Sequence, residues 1–319
     1  QQNGSGMIAF IRGVGQTDFN FALEPGVGIY VDDVYIPTLT GSLLDLMDLE
    51  RLEVMRGPQG TLSGRNAIGG AIKLFSTKPQ GNGKASVQVT YGAYNRIELR
   101  GFADVKLSDT LFARVAGVSK NRDGYVKRLD YAATHPGSGV PTMGNGTTVL
   151  GTLGGQSYAA GKLSLRWTPS DAIEINLAGD YTRDRSESGA SVLLYGNSAA
   201  VNANGQPWLP STINGSAIQL NCAFVPYGIN SCDTLTGYDR RYVTYGTFLD
   251  RTPATTQAPY KPLALEPHQW LDNYGVMGTI DLQLSDNLSI KSITAWRHYK
   301  SDWAQDVDNS PIGNQQLRQ

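Results

Sequence analysis

The chain has 319 residues, 27 Lys and Arg against 28 Asp and Glu, and a formal net charge of -1. That balance offers no basic field to a nucleic-acid backbone, so nucleic acid is not an expected partner. Charged residues make up 17%, against roughly 25% in an average soluble domain. The 37 glycines and the excess of Tyr (16) over Phe (8) favour strands and turns over helices. No run of 18 apolar residues occurs, so no helix is apolar enough to span a bilayer.

Residues 1–79 form a mixture of short apolar runs (Met7–Ile11, Val27–Val31, Leu52–Met55, Ala71–Phe75) broken by Gly and Asp. Leu43 to Leu49 has helical spacing, with Asp45 and Asp48 on its polar side. The IRGVG stretch at 11–15 predicts a strand ending on Arg12 and a turn at Gly13 and Gly15. GIYVDDVYI at 28–36 predicts a hairpin turning on Asp32-Asp33. In 49–79, LERLEVMRGPQGTLSGRNAIGGAIKLFSTKP, a strand meets a Gly-rich loop and then a second strand, Ala71–Ser76. Gln80-Gly81-Asn82-Gly83-Lys84 is a linker, since Gly and Asn favour turns.

From Ala85 the pattern alternates. Val87, Val89, Tyr91 and Ala93 share one face, and Ile97, Leu99, Gly101, Ala103, Val105 and Leu107 the next. The same holds for Leu163, Leu165 and Trp167, for Ile173, Ile175, Leu177 and Tyr181, and for Tyr274, Val276, Ile280, Leu282 and Leu284. Segments 111–120 and 288–297 fit less cleanly, the latter carrying Ser292 and Thr294 on its nominal apolar face. These are seven candidate strands of about ten residues, the length a tilted strand needs to cross a bilayer.

The connections separate a membrane barrel from a soluble sandwich. Short turns are predicted at Leu107-Ser108-Asp109, Pro169-Ser170-Asp171 and Leu284-Ser285-Asp286-Asn287, all at one end. Long loops, 122–156 and 185–269, fall at the other end, with Gly92–Arg96 as a short exception there. Outer-membrane barrels sort periplasmic turns from extracellular loops in this way. Trp167 near a turn, and Tyr91, Tyr181 and Tyr274 toward the loop ends, fit two interfacial aromatic girdles.

The Gly-rich loop lacks a Gly-Lys-Ser/Thr ending, and Gly69-Gly70 leads into a strand, so no helix N-terminus faces a phosphate. GVGQ at 13–16 lacks the third glycine of a dinucleotide fingerprint. No nucleophile–base–orienter set is present, and no enzyme activity is expected. His135, His268 and His298 are dispersed without ligand spacing, so neither a metal site nor a haem-receptor signature is expected. Asp302, Asp306 and Asp308 lack the glycine turn of a calcium loop and read as a solvated loop.

Taken in order, IRG, YVDxV, ERLEVxRGPQGTLxGRNAIGGAI and TKP resemble the plug domain of a TonB-dependent outer-membrane receptor. The resemblance runs through residues 8–121. It departs at Asp33, where Gly is common, at Ser63, where Tyr is common, and at Lys73-Leu74-Phe75, where residues like Asn-Ile-Val are usual. It implies a mostly β fold: a transmembrane antiparallel β-barrel, about seven strands of it present, with an N-terminal mixed α+β plug. The plug is 1–79, the linker 80–84, and 85–319 the first part of the barrel, with extracellular loops at 122–156 and 185–269. A barrel of this type has about 22 strands. The resemblance therefore implies a signal peptide, a TonB box and more plug upstream, and most of the barrel downstream. A seven-strand sheet with two open edges is expected to aggregate when expressed alone.

By resemblance, Arg12 and Arg56 are plug–barrel lock residues that pair with barrel glutamates beyond Gln319. Glu50, Arg51, Glu53, Gly57, Pro58, Gly60, Gly64, Arg65, Gly69 and Gly70 form the plug framework, with Glu53 orienting Arg56 or Arg65. No covalently bound cofactor is implied. The expected partners are the TonB–ExbB–ExbD complex, driven by proton-motive force, the outer-membrane lipid, and an extracellular ligand. That ligand is foremost a ferric siderophore, with a glycan, cobalamin or another organic nutrient as alternatives, and a non-transporting adhesive barrel as a further one.

Residues 188–232 hold no charged side chain but carry Tyr195, Trp208, Phe224 and Tyr227 as candidate ligand contacts. Cys222 and Cys232, facing outward after an oxidising periplasm, are expected to form a disulfide worth ~2–3 kcal/mol. Tyr238, Arg240, Arg241, Tyr242 and Tyr245 form a basic-aromatic patch, which suits either an anionic ferric chelate or packing across the barrel mouth.

Overall fold

The apolar runs of the N-terminal part become strands too short to stand without a common sheet. They are β1 (Phe10–Ile11), β2 (Val14–Gly15), β3 (Val27–Val31), β4 (Val34–Ile36), β5 (Leu49–Arg56) and β6 (Gly70–Ser76). The chain is seen in a computed structural model that describes residues 8–16, 23–37, 48–60, 66–138, 140, 142, 147–195, 211–213, 216–218, 222–229, 231–247, 266–306, 309–311 and 316–318. Strands β3 to β6 form one four-stranded sheet ordered β4-β3-β6-β5, with β3 and β6 parallel and the other pairs antiparallel. Ile29, Val31, Ile36 and Leu74 make its buried core. The β3–β4 hairpin turns on Asp32 and Asp33, with φ of 50° and 66°. Two left-handed residues suit the twist of a two-residue hairpin. Gly70 is needed for another reason: at φ 149°, a Cβ there would lie 2.2 Å from the Met55 carbonyl oxygen.

The motif 11–15 differs slightly from its sequence reading. The strand ends at Ile11, and Arg12 itself turns, at φ 52°, so that β1 and β2 pair across Arg12-Gly13. Of the predicted helix 43–49, residues 43–47 lie outside the described residues; Asp48 precedes β5 and Leu49 begins it.

After residues 77–84, which have no regular structure, come β7 (Ala85–Gly92), β8 (Arg96–Lys106) and β9 (Leu111–Arg122). Two short strands follow, β10 (Val126–Leu129) and β11 (Val149–Leu153), then β12 (Gln156–Ser170) and β13 (Ile173–Ser186). Strands β14 (Ser211–Ile213) and β15 (Ser216–Ile218) form a small pair, and β16 (Val243–Thr244) joins β10. The chain closes with β17 (Gln269–Ser285), β18 (Leu288–Asp306) and β19 (Gln316–Arg318). The long strands form one eight-stranded sheet, β19-β18-β17-β13-β12-β9-β8-β7, neighbours following chain order. The seven predicted strands are its first seven, and β19 adds a short eighth.

This sheet is inside out by the standard of a soluble protein. Its apolar face is exposed: Val87 (75%), Val89 (68%), Ile97, Leu99, Val105, Leu163, Trp167, Leu177, Tyr181, Val276, Ile280 and Leu284. Much of its polar face is covered, with Asp104 and Arg114 buried and Asp180 and Arg297 nearly so. A sheet with one wet face buries its apolar side; a lipid-facing strand does the reverse. Tyr274 lies 6.3 Å from the Tyr181 ring and 5.7 Å from Trp296, an exposed aromatic cluster on three adjacent strands.

Two corrections concern turns and ends. Pro169 and Ser170 belong to β12, where the register slips between Trp167 and Ser170, and the turn is Asp171-Ala172. A proline has no N–H for a regular ladder, so a slip there is its natural place. Asp302 and Asp306 lie in β18, not in a solvated loop; Asp302 is 3.3 Å from His268, and Asp306 is buried. Asp308 lies outside the described residues.

By contacts the chain divides into two units. The first is Gln1–Asn121, Ser157–Arg185 and Trp270–Ser301; the second is Arg122–Gln156, Ser186–Gln269 and Asp302–Gln319. The second unit has its own three-stranded sheet, β11-β10-β16. Its core is Leu129, Tyr131, Val140, Phe224, Val243 and Tyr245. A one-turn helix, α1 (Tyr131–Thr134), is capped by Asp130, which accepts from the Ala132 N–H at 3.0 Å.

Candidate functional site

Within the first unit, the N-terminal sheet meets the polar face of the long sheet through ion pairs. At the hairpin tip, Asp32 accepts from the Ser76 N–H and Oγ, each at 2.7 Å, and from Lys162 Nζ on β12 at 3.2 Å. Lys162 also donates to Ser76 Oγ, closing a three-membered network. Asp33 lies 3.6 Å from Lys73 and 3.4 Å from Lys291 on β18. Asp48 holds Arg114 of β9 through two bonds of 2.6 Å, and Arg114 reaches Asp104 of β8 at 3.1 Å. Lys78 reverses the polarity, donating to Glu174 of β13 at 2.5 Å. A cleft of about 240 Å³ lies among these pairs, lined by Asp32, Arg51, Phe75, Lys162, Asn176 and Lys291 among others.

Most of these contacts put the carboxylate on the N-terminal sheet and the cation on the long strands. The lock expected at Arg12 and Arg56, with partners outside this chain, is a separate set of residues. Both are exposed, and neither has an ion pair among the described residues. The chain nevertheless brings their motifs together: a Cβ on Gly57 would lie 3.7 Å from Arg12 Nη1, and one on Gly69 would lie 2.7 Å from Val14 Cβ. Glu53 bonds Arg51 at 2.8 Å rather than Arg56, and Arg51 stacks 3.7 Å over Phe75. Arg51 also lies 3.9 Å from Glu50. In the Gly-rich loop, the Gly57 N–H donates to the Gly69 carbonyl at 3.0 Å; Pro58 and Gly60 are exposed. Gly64 and Arg65 lie outside the described residues, as does Ser63.

In the second unit, the candidate ligand residues separate into two groups. Phe224 is not a contact surface but core: it packs edge-on to Tyr131 at 4.9 Å and is 4% exposed. An aromatic ring among aliphatic neighbours gains more from burial than from waiting on a ligand. Tyr245 is likewise buried, donating to the Asp233 carboxylate. Burial first, and that hydrogen bond second, push its phenol well above the ordinary tyrosine value. His135 stacks on Tyr131 at 4.2 Å and lies 3.4 Å from Asp233. Tyr195, Tyr227 and Tyr242 are exposed. Tyr238 packs against the core and receives Lys127 over its ring at 5.4 Å. Arg240 donates to the Asp233 carbonyl at 2.7 Å. Arg241 grips Asp239 at 2.7 Å, and that bond holds the carboxyl below its usual range. Trp208 lies outside the described residues. Cys222 and Cys232 are joined in a disulfide.

Comparison with known proteins places these features. Residues 1–71 match the TonB-dependent Receptor Plug Domain. The pesticin receptor of Yersinia enterocolitica is 38% identical over 80 residues, 24% of this chain and 11% of its own. An iron-regulated outer membrane virulence protein of Vibrio cholerae is 38% identical over 89 residues, 26% of this chain and 14% of its own. Among solved structures, the ferric yersiniabactin uptake receptor FyuA of Yersinia pestis superposes with a TM-score of 0.55 at 19% identity. That match covers 88% of this chain and 33% of FyuA. The siderophore receptor PiuA of Acinetobacter baumannii gives 0.54 at 12% identity, over 95% of this chain and 34% of PiuA. The aligned regions thus span a small part of the curated relatives and about a third of the structural ones. Residues 1–71 therefore carry a TonB-dependent receptor plug domain, and the long strands take the fold of the matching part of FyuA and PiuA.

Proposed function

We propose that this chain is the gating part of an active importer of the bacterial outer membrane, which takes up a scarce nutrient, a ferric siderophore. The observation that carries the reading is the plug sheet tied by reversible ion pairs to the polar face of strands whose apolar face is exposed. A wide barrel needs a stopper, and a stopper that must move is better held by charged contacts than by a shared apolar core. On this reading 1–79 is the plug, 80–84 its tether and 85–319 wall and loops, and Arg12 and Arg56 pair with wall glutamates outside this chain. Energy comes from the TonB–ExbB–ExbD complex and proton-motive force, with no bound nucleotide and no covalent chemistry.

Iron as cargo is supported by the relatives, whose names refer to ferric yersiniabactin uptake and iron regulation. A neutral organic ligand is the second reading, favoured by exposed Tyr195 and Tyr227 in a segment without charge. Deleting the gene and measuring uptake of radiolabelled ferric chelates, cobalamin and oligosaccharides separates them. Loss of ferric uptake alone supports the first reading, loss of a neutral cargo alone the second, and unchanged uptake of every probe overturns both.

A further inference from the structure

Arg114 is shared by two carboxylates that are otherwise unlike. Its Nε and Nη2 donate to Asp48 and its Nη1 to Asp104, with the Phe102 ring 4.1 Å from the guanidinium carbon. The Asp104 side chain is fully buried and gathers the linker as well: the N–H groups of Gln80 (3.1 Å), Gly81 (2.5 Å) and Asn82 (3.3 Å) all donate to it. The linker is shaped for this, since Gly81 sits at φ 65° where a Cβ would strike Phe112 at 2.4 Å. Asp48, just before β5, is slightly exposed, and Arg114 is its only side-chain partner among the described residues.

We propose that this triad is a two-armed hinge in which Arg114 is the positioning residue. The Asp104 arm fixes the linker to the wall, and the Asp48 arm releases the plug. The asymmetry follows from charge. When Asp48 leaves, Arg114 keeps Asp104, so no buried charge is stranded. Losing Arg114 would take the one cation from a fully buried carboxylate, and losing the linker from Asp104 would free three backbone donors at once. The plug is thus able to leave the wall without loosening its own tether. The use of such a hinge rests on the gating reading above, but its existence does not, and its test asks nothing of transport.

The test is amide hydrogen exchange by mass spectrometry on the full-length receptor in outer-membrane vesicles. Asp48→Asn should raise exchange across residues 49–56 and 70–76 about ten-fold, the equivalent of losing one charge-assisted pair, and leave 80–84 at the wild-type rate. Asp104→Asn should raise 80–84 by a similar factor. Arg114→Lys keeps the charge but loses the fork to Asp48, and should resemble Asp48→Asn; it serves where Asp48→Asn does not assemble. A purely structural contact would move plug and linker together. Equal rises in both segments in the Asp48 variant, or no rise in either, would overturn the hinge.

Discussion

Lys162, in the middle of a barrel-wall strand, reaches Asp32 at the tip of the plug hairpin both directly, at 3.2 Å, and through Ser76. The pair joins residues 130 positions apart, and both side chains are largely covered. Removing one partner therefore leaves a half-buried charge instead of a hydrated one. Asp32→Asn should destabilise the full-length receptor by about 2 kcal/mol, whereas Glu50→Gln, 3.9 Å from Arg51 and half exposed, should cost about 0–0.5 kcal/mol. Thermal unfolding in detergent compares them, and equal shifts would show that the hairpin tip is not anchored.

Asp33 departs from the glycine common in this family, and the departure has two opposed effects. Its backbone is left-handed, which glycine accepts more readily; its carboxylate meets Lys291 at 3.4 Å and Lys73 at 3.6 Å in partly exposed pairs. Both effects are below about 1 kcal/mol and opposite in sign, so Asp33→Gly should change the unfolding temperature little. Asp33→Val, with a β-branched side chain at positive φ and no charge, should lower it clearly. If the glycine variant is as damaged as the valine one, the lysine contacts outweigh the backbone.

Much of the plug and wall could be read from the chain because the signals are local. Alternation marks each strand, a pair of aspartates marks the β3–β4 turn, and Gly and Asn mark the linker. The loops were less legible. Strand β10 has four residues and β16 two, too few for a period to declare itself, and their pairing joins positions more than a hundred residues apart. Phe224 illustrates the difficulty: in an uncharged stretch an aromatic looks the same whether it will face a ligand or a core. The ion pairs were invisible for a related reason. Asp48, Lys162 and Lys291 each lie on the polar side of their segments, and nothing in the spacing says which cation a given carboxylate will meet.

The disulfide Cys222–Cys232 encloses the turn that carries Phe224 and Val225 into the second unit's core. Closing a loop of this size contributes about 2–3 kcal/mol, mostly by restricting the open chain. Replacing both cysteines by alanine should leave the barrel assembled and make residues 222–247 susceptible to added protease on whole cells. Uncleaved loops in the alanine variant would mean that aromatic packing suffices.

Burial of Tyr245 and Tyr131 raises both phenols above the ordinary tyrosine value, Tyr245 the more through Asp233. A raised folded value means that the packed loop holds its protons more tightly than the open chain. Its stability is complete below tyrosine's usual pKa of about 10 and falls as pH rises beyond it. Phenolate absorbance should show this pair ionising only as the loop opens. Asp233→Asn should narrow the gap for Tyr245 but not abolish it, since burial is the larger cause. Ionisation of Tyr245 and Tyr131 near pH 10 with the loop still closed would contradict the buried cluster.

The outward apolar face is open to a direct test, because lipid and water respond oppositely to charge. Leu177 projects from the exposed face of β13, opposite Leu165 in register, and is 53% exposed. On a soluble sheet, an arginine at so open a site would be tolerated within about 0.5 kcal/mol. Against lipid near the bilayer centre it costs about 2–4 kcal/mol. Leu177→Arg should therefore reduce assembled receptor in the outer membrane, while Leu284→Arg, two residues before the Asp286-Asn287 turn and near the interface, should be accepted. The gradient between the two positions is the informative quantity. A polar mouth or a soluble sheet gives no dependence on depth, so equal tolerance at both sites would remove the membrane from the account of this fold.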